Sequence, residues 1–240
     1  MPDKRQHRGP HPADSELFAR KYWPSLQQAT ADLSWLLSGE YSLAAALKLV
    51  GDRYKLRQRQ RLAVQRSACS DRSLARRTAH QLQPGDARDH SVDIDGFNLL
   101  MTIEAALAGG VIIAGKDGCL RDMASVHGTF RVVEETAPAL SLIEDKLCEI
   151  GPAAVTWYFD SPVSNSGRIA ACIRQIGEQG QHAWTVELVR DPDAILRKSP
   201  NVVVTTDSVI LDECERWTNL AAVIIHQQVE NYICVPMTAS

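Results

Sequence analysis

The chain has no apolar run approaching the roughly 20 residues that a membrane-spanning helix requires, which excludes a helical anchor within it. Its opening residues, Met1 to His11, are polar and basic and lack the apolar core of a secretory signal. No Cys-x-x-Cys pair occurs, and the six cysteines (69, 119, 148, 172, 214 and 234) are scattered. That pattern argues against a structural zinc site and for reduced, mostly buried thiols in a cytoplasmic protein. No internal repeat or low-complexity tract is visible, which sets repeat architectures aside.

What is present suits a globular protein with one large domain or two moderate ones: 240 residues, 45% hydrophobic and 23% charged. The net charge of −3 conceals an asymmetry. Residues 1–90 carry 16 Lys+Arg against 9 Asp+Glu, whereas residues 91–240 carry 10 against 20. A basic module beside an acidic one suggests one surface for a polyanion and another for cations. The plainer alternative is that the helical surfaces are simply Arg-rich.

Residues 1–14, with three prolines and no periodicity, predict a flexible tail. Helical periodicity follows over 25–37, 42–54, 57–69 and 73–82. On the third of these, Arg57 and Arg61 share one face while Arg59 and Arg66 share nearly the opposite one. This tells against a single basic recognition helix. Pro84-Gly85-Asp86 then reads as a turn or linker. Beyond it, β-type runs at 91–94, 110–114, 154–159, 184–189, 201–205 and 222–226 alternate with helical segments at 99–108, 135–150, 166–179, 191–198 and 208–216. Such alternation implies a largely parallel sheet covered on both faces. The expected organisation is a basic α-helical domain over 15–85 and a Rossmann-like α/β domain over 90–235. Part of the long connection 115–152 is expected to be an active-site loop.

Four acids stand where strands end: Asp95, Asp160 and Asp207, with Asp212 five residues further on. Ligands of open α/β sheets bind at this carboxyl edge. Acids gathered there repel one another unless a divalent cation or a shared proton neutralises them. Hard oxygen donors suit Mg²⁺ or Mn²⁺, which can activate water at a scissile phosphate. Asn98, in Asp95-Gly96-Phe97-Asn98, is placed to orient a ligand. Taken singly, an Asp after a strand is more often a helix cap or turn residue. Asp93 lies on the same side of its strand as Asp95; it either joins the site or sits at the exposed start of the strand.

Several polar residues are further candidates. Ser164, Asn165, Ser166 and Arg168 precede a helix and form a candidate phosphate contact, or else an ordinary capped loop. Arg121, Asp122 and His127 can supply a phosphate clamp or a general acid. Glu104 can point to the site or be paired elsewhere. Trp184 and Trp217 read as core.

Val92-Asp93-Ile94-Asp95-Gly96-Phe97-Asn98-Leu99-Leu100, together with Thr205-Thr206-Asp207, resembles the NYN branch of the PIN-like nuclease superfamily. From about residue 20 to 230 the chain resembles a prokaryotic two-domain family that joins a helical domain of unknown function to a PIN-like domain. The segments carrying that likeness are 48–54, Leu120-Arg121-Asp122, Val126-His127-Gly128 and 160–168. The resemblance implies a Rossmann-like sheet and an acidic Mg²⁺/Mn²⁺ site that hydrolyses RNA or DNA, and RNA is the expected substrate ahead of DNA. Asp95, Asp160 and Asp207 would be its metal ligands, Asn98 a partner, and Asp212 a further acid. It leaves homo-oligomer formation open. The loop after Asp160 and His127 both depart from the usual all-carboxylate pattern.

Two rivals stand beside this reading. Asp93-Ile94-Asp95-Gly96 also resembles the motif of haloacid-dehalogenase-like phosphatases, with Asp93 as nucleophile and Asp95 as general acid. Against it, Phe97 replaces a threonine, no lysine sits suitably before the late acidic strand, and the late acids are spaced by five residues where that family shows four. The other rival is a non-catalytic RNA-binding or regulatory protein that keeps the fold.

Overall fold

The computed structural model describes residues 7–124 and 130–239. A helical region comes first: α1 (Asp14–Leu17), α2 (Trp23–Ser38), α3 (Leu43–Arg53), α4 (Gln58–Ser67) and α5 (Asp71–His80). Helix α2 buries Leu26, Ala29, Leu33 and Leu36, one stripe at helical spacing, and starts with Pro24 in its first turn, where no amide partner is needed. The chain continues as β1 (Gln81–Leu82), β2 (Ser91–Asp95), α6 (Gly96–Leu107), β3 (Val111–Ala114), β4 (Leu120–Asp122) and α7 (Thr136–Ile150). Then follow β5 (Ala154–Asp160), α8 (Ser166–Gly180), β6 (Trp184–Val189), α9 (Pro192–Leu196) and β7 (Val202–Val204). The last elements are α10 (Ser208–Leu211), β8 (Trp217–Thr218), α11 (Leu220–Gln228) and β9 (Ile233–Pro236).

Six strands form an all-parallel sheet in the order β1-β8-β7-β2-β5-β6. The fold is therefore α/β with a mainly parallel sheet behind a helical N-terminal region, as the alternation of runs predicts. Alternate residues sort the sheet's two faces. Val92, Ile94, Val155, Trp157, Phe159 and Val204 enter the main core, which α6, α7, α8 and α11 cover. Val203 enters a smaller core on the opposite face with Leu196 of α9 and Ile210 and Leu211 of α10. So β2 is followed by a helix on one face and its neighbour β7 by a helix on the other. A crevice opens between two such strands at their carboxyl ends.

Strand β3 does not join this sheet. It forms a separate three-stranded one, antiparallel to β4 and parallel to β9. Ile112 and Leu120 of this small sheet pack into the main core, whereas Val111, Ile113, Met123, Val235 and Met237 pack against the helical region. The small sheet is thus the joint between helices and α/β core. The long connection expected to hold a loop contains β4 and α7, while His127 falls among residues 125–129, outside those described.

Several expectations change. The run 222–226 belongs to α11, not to a strand: packed between α6 and α7, it is apolar on nearly every side and so resembles a buried strand. Asn219 caps it, accepting from the Ala222 N–H at 3.4 Å. The true last strand, β9, is four residues with an exposed Ile233. The helix expected over 208–216 ends at Leu211. The tail is anchored from residue 7: Arg8 pairs with buried Glu104 and donates to the Arg131 carbonyl at 2.9 Å, and Asp14 pairs with Arg59. The cysteines are free, but Cys148 and Cys172 are exposed. Among the described residues no helix is long and apolar enough to cross a membrane.

Candidate functional site

The crevice between β2 and β7 is built by two capped helix starts. Asp95 ends β2 and caps α6, accepting from the Asn98 N–H at 3.4 Å. Gly96 is required beside it, because a Cβ there would lie 2.3 Å from Cζ of Phe159. Asp207 follows β7 and caps α10, its Oδ1 accepting from Val209 and Ile210 N–H at 2.8 and 3.3 Å. Thr205 bridges the two acids: its hydroxyl donates to Asp95 Oδ2 at 2.8 Å and accepts from the Asp207 N–H at 3.0 Å. Asn98 ties the same strands from the α6 side, its Oδ1 accepting from Thr206 N–H and Oγ1 at 2.8 and 3.0 Å.

Electrostatics makes Asp95 the strained member. Burial pushes its carboxyl up to about 7, and the nearby charges of Asp207 and Asp193 push the same way against the Thr205 hydrogen bond. Asp193, in the first turn of α9, is raised by burial and then by Asp207, Asp160 and Asp191. Asp160, at the end of β5, is raised by burial and by Asp191. The edge therefore gathers Asp95, Asp207 and Asp193 at its centre, with Asp160 and Asp191 as a flank. Among the described residues none of the five forms an ion pair within 4.0 Å. Nor do any three His, Cys, Asp or Glu side chains among them stand together in ready metal-binding geometry. Oxygens of Asp95 and Asp207 are held instead by Thr205 and by the α10 cap.

On the α6 side of these strands lies a cleft of about 210 Å³, lined among others by Asn98, Arg121, Asp207, Thr206, Asp122 and Arg66. It brings together four of the residues proposed separately from the sequence: Asn98, Arg121, Asp122 and Asp207. Arg121 donates through Nε to the Thr206 carbonyl at 2.8 Å and through Nη1 and Nη2 to Asp117 at 2.9 and 2.6 Å. A guanidinium has five N–H donors, so two remain. Arg66 of α4 donates to the carbonyls of Asp122 and Ala124 at 2.7 and 2.9 Å. Burial raises the Asp122 carboxyl, against the charge of Arg66.

Other expected residues lie elsewhere. Asp212 accepts from Arg77 Nε at 2.7 Å and lines a separate groove of about 980 Å³ with Arg72, Arg76 and Arg197. The early end of α10 carries Asp212 past the last helical turn, away from the acidic edge. Asp93 neither joins the edge nor is exposed. It is 3% exposed, with Oδ2 accepting from Ser199 Oγ at 2.5 Å and Asn201 Nδ2 at 3.2 Å, and with Oδ1 unpartnered. Asn165 turns back on the chain, donating from Nδ2 to the Phe130 carbonyl at 2.8 Å. The Ser164 carbonyl accepts from the Phe130 N–H at 3.1 Å, Ser166 is buried and Arg168 is exposed. That loop serves as a tether for Phe130. Glu104 is buried against Arg8 and Thr136, away from the edge.

Many arginines of the basic half are likewise engaged internally: Arg59 by Asp14, Arg61 by Asp52, Arg66 and Arg76 by carbonyls, and Arg77 by Asp117 and Asp212. Sequence reading did not single out Asp193, Asp117 or Arg77. Asp193 follows a proline in a short helix and looks like an ordinary first-turn acid, and Asp117 lies in a Gly-Lys-Asp-Gly turn.

An α/β fold with an acidic carboxyl edge and a helical region packed on it thus defines the class. Residues 84–223, more than half of the chain, match the family described as "Domain of unknown function (DUF5616)", and the chain belongs to that family. Residues 25–79 match "Protein of unknown function (DUF434)". The chain is also similar to the "Uncharacterized protein MJ0935" of Methanocaldococcus jannaschii. The two are 33% identical over 189 residues, covering 78% of this chain and 89% of the relative. No solved structure matches it.

Proposed function

We propose that this chain is a metal-dependent phosphodiesterase that hydrolyses RNA, built on a PIN/NYN-like α/β domain with Asp95 and Asp207 as its central acids. The observation that carries this reading is the uncompensated charge at the sheet edge, where burial and two neighbouring carboxylates raise Asp95 to about 7. The resemblance of 92–100 and 205–207 to the NYN branch supports nucleic-acid hydrolysis, and cleavage of RNA ahead of DNA is the outcome to be tested.

The donor chemistry fits a hard divalent cation: carboxylates with amide and hydroxyl oxygens beside them. Asp95 and Asp207 would hold Mg²⁺ or Mn²⁺, with Asp193 closest to assist and Asp160 at the flank. Such an ion supplies an activated water and charge neutralisation at the scissile phosphate. The chain's own residues orient and bind. Asn98 and Thr205 fix the two strand ends relative to each other, and Arg121 offers its two remaining N–H donors as a fixed positive charge for a phosphate oxygen. Asp93 is buried, its unpartnered Oδ1 included, and so is closed to the phosphate that a phosphatase's nucleophile must attack, which favours the nuclease reading.

The test is cleavage of end-labelled single-stranded RNA and DNA of matched sequence by the full chain with Mg²⁺ or Mn²⁺. Asp207→Asn and Asp95→Asn should each reduce RNA cleavage by about 100-fold or more, given that even an outer partner of a metal ligand is worth roughly 10–100-fold. Cleavage that survives both substitutions, or absence of cleavage with either ion, sinks the proposal.

A further inference from the structure

We propose that the helical N-terminal region completes this site, with Arg77 and Asp117 as positioning residues for the segment that carries Asp207. The clamp stands on geometry alone, and only its catalytic consequence rests on the nuclease reading.

Asp117, in the turn between β3 and β4, has a side chain 1% exposed. It accepts both terminal nitrogens of Arg121 and, at 2.5 Å, Nη1 of Arg77 from α5. The two arginines, side by side on Asp117 Oδ2, then reach the same short segment at different points. Arg121 Nε holds the Thr206 carbonyl at 2.8 Å, while Arg77 holds the Ser208 carbonyl through Nη2 at 3.2 Å and Asp212 through Nε at 2.7 Å. The segment 206–212 is gripped before, after and beyond Asp207.

That grip matters because α10 is only four residues long, too short to hold itself by helical hydrogen bonds. The Asp207 cap on it cannot fix where the acid stands. The clamp in turn has a prepared seat. A Cβ on Gly115 would lie 2.7 Å from Arg121 Nη1 and 2.9 Å from Asp117 Oδ1, so only glycine leaves room for the pair. The Lys116 N–H donates to the Ser67 carbonyl at 2.9 Å, docking the turn on the end of α4. Trp217 Nε1 donates to the Arg77 carbonyl at 2.8 Å, which fixes α5 to β8. The helices therefore reach the Asp207 segment directly through Arg77, which shares the Asp117 carboxylate with Arg121.

The experiment compares the full chain with Arg77→Met, Arg77→Lys and Asp212→Asn, reading backbone amide hydrogen exchange and Mn²⁺ affinity by calorimetry. Arg77→Met should speed exchange across 206–212 by about tenfold or more while amides of α2 and β5 hold their protection. Mn²⁺ affinity should fall by about tenfold, the low end for loss of an outer partner. Arg77→Lys, which keeps the charge and loses the fork, should recover only part of the protection. If Arg77→Met does not fold, Asp212→Asn at a partly exposed position still reports: a smaller rise confined to 207–212 is expected. Unchanged exchange in 206–212, or protection lost evenly along the chain, overturns the clamp. Neither readout uses RNA, so a clamp found without cleavage refutes the nuclease reading alone. Unaltered exchange in variants of an active nuclease refutes the clamp alone.

Discussion

Asp117 and Asp95 are both aspartates set back from solvent, close to the same segment of chain, and their carboxyls are shifted in opposite directions. Both lose hydration on burial. Asp117 recovers it from the guanidiniums of Arg121 and Arg77, which hold its carboxyl down to about 2. Asp95 meets a hydroxyl and one long amide contact, with Asp207 and Asp193 adding negative charge, and rises to about 7. What differs is the sign of the neighbours. One region closes its own electrostatics and serves as scaffold, while the other leaves a charge that only a proton or a cation from outside can balance.

The largest effect should come from breaking the closed region. Asp117→Ala leaves buried Arg121 without its carboxylate and Arg77 with Asp212 alone, and should cost about 3–5 kcal/mol in denaturant unfolding. A cost under about 1 kcal/mol would mean that the network is as dispensable as a surface pair, and the contrast would fail.

A cation should act only at the open region. Mn²⁺ at a hundred times its dissociation constant should stabilise the chain by about 2.7 kcal/mol, seen as a raised melting temperature. Asp95→Asn should abolish that rise, and an equal rise in the variant would place the ion elsewhere.

The smallest effect is in the pH profile of the metal-free protein. The folded Asp95 carboxyl keeps its proton to about pH 7, whereas its ordinary value is 3.8. Between those values the native state binds more protons than the unfolded state. Its contribution is therefore full below about pH 4 and is lost as pH rises towards 7. Asp117 works the other way: its contribution is present above about pH 4 and is lost as pH falls towards 2. Asp95→Asn should flatten part of the decline between pH 4 and 7, raising stability near pH 8 by on the order of 1–2 kcal/mol. The part due to Glu104, also raised to about 7 by burial, should persist. An unchanged slope would mean that Asp95 does not hold the proton.

Much of the frame was legible in the chain. The alternation in β5, with Val155, Trp157 and Phe159 inward, and the stripe on α2 are local patterns that burial enforces wherever they occur. Asp95 and Asp207 were legible as strand-end acids because strand and acid are adjacent in sequence. Helix α11 was not, since an element buried on nearly all sides loses the periodicity that separates helix from strand. Asp212 was misplaced because α10 ends at Leu211 and the acid's partner is Arg77, 135 residues away in sequence.

The sequence by itself determined the α/β alternation, the helical start, the two central acids and the excess of positive charge in the first 90 residues. The tertiary structure alone decided where that charge goes. Many of the arginines that suggested a polyanion-binding surface instead pair with carboxylates of the chain itself or donate to its carbonyls. It also decided which acids meet: Asp193 was brought to the edge and Asp212 and Asp93 were withdrawn from it. Periodicity is a property of neighbours along the chain, whereas the balance of charge around a buried carboxylate is summed over whatever distant groups the fold places beside it.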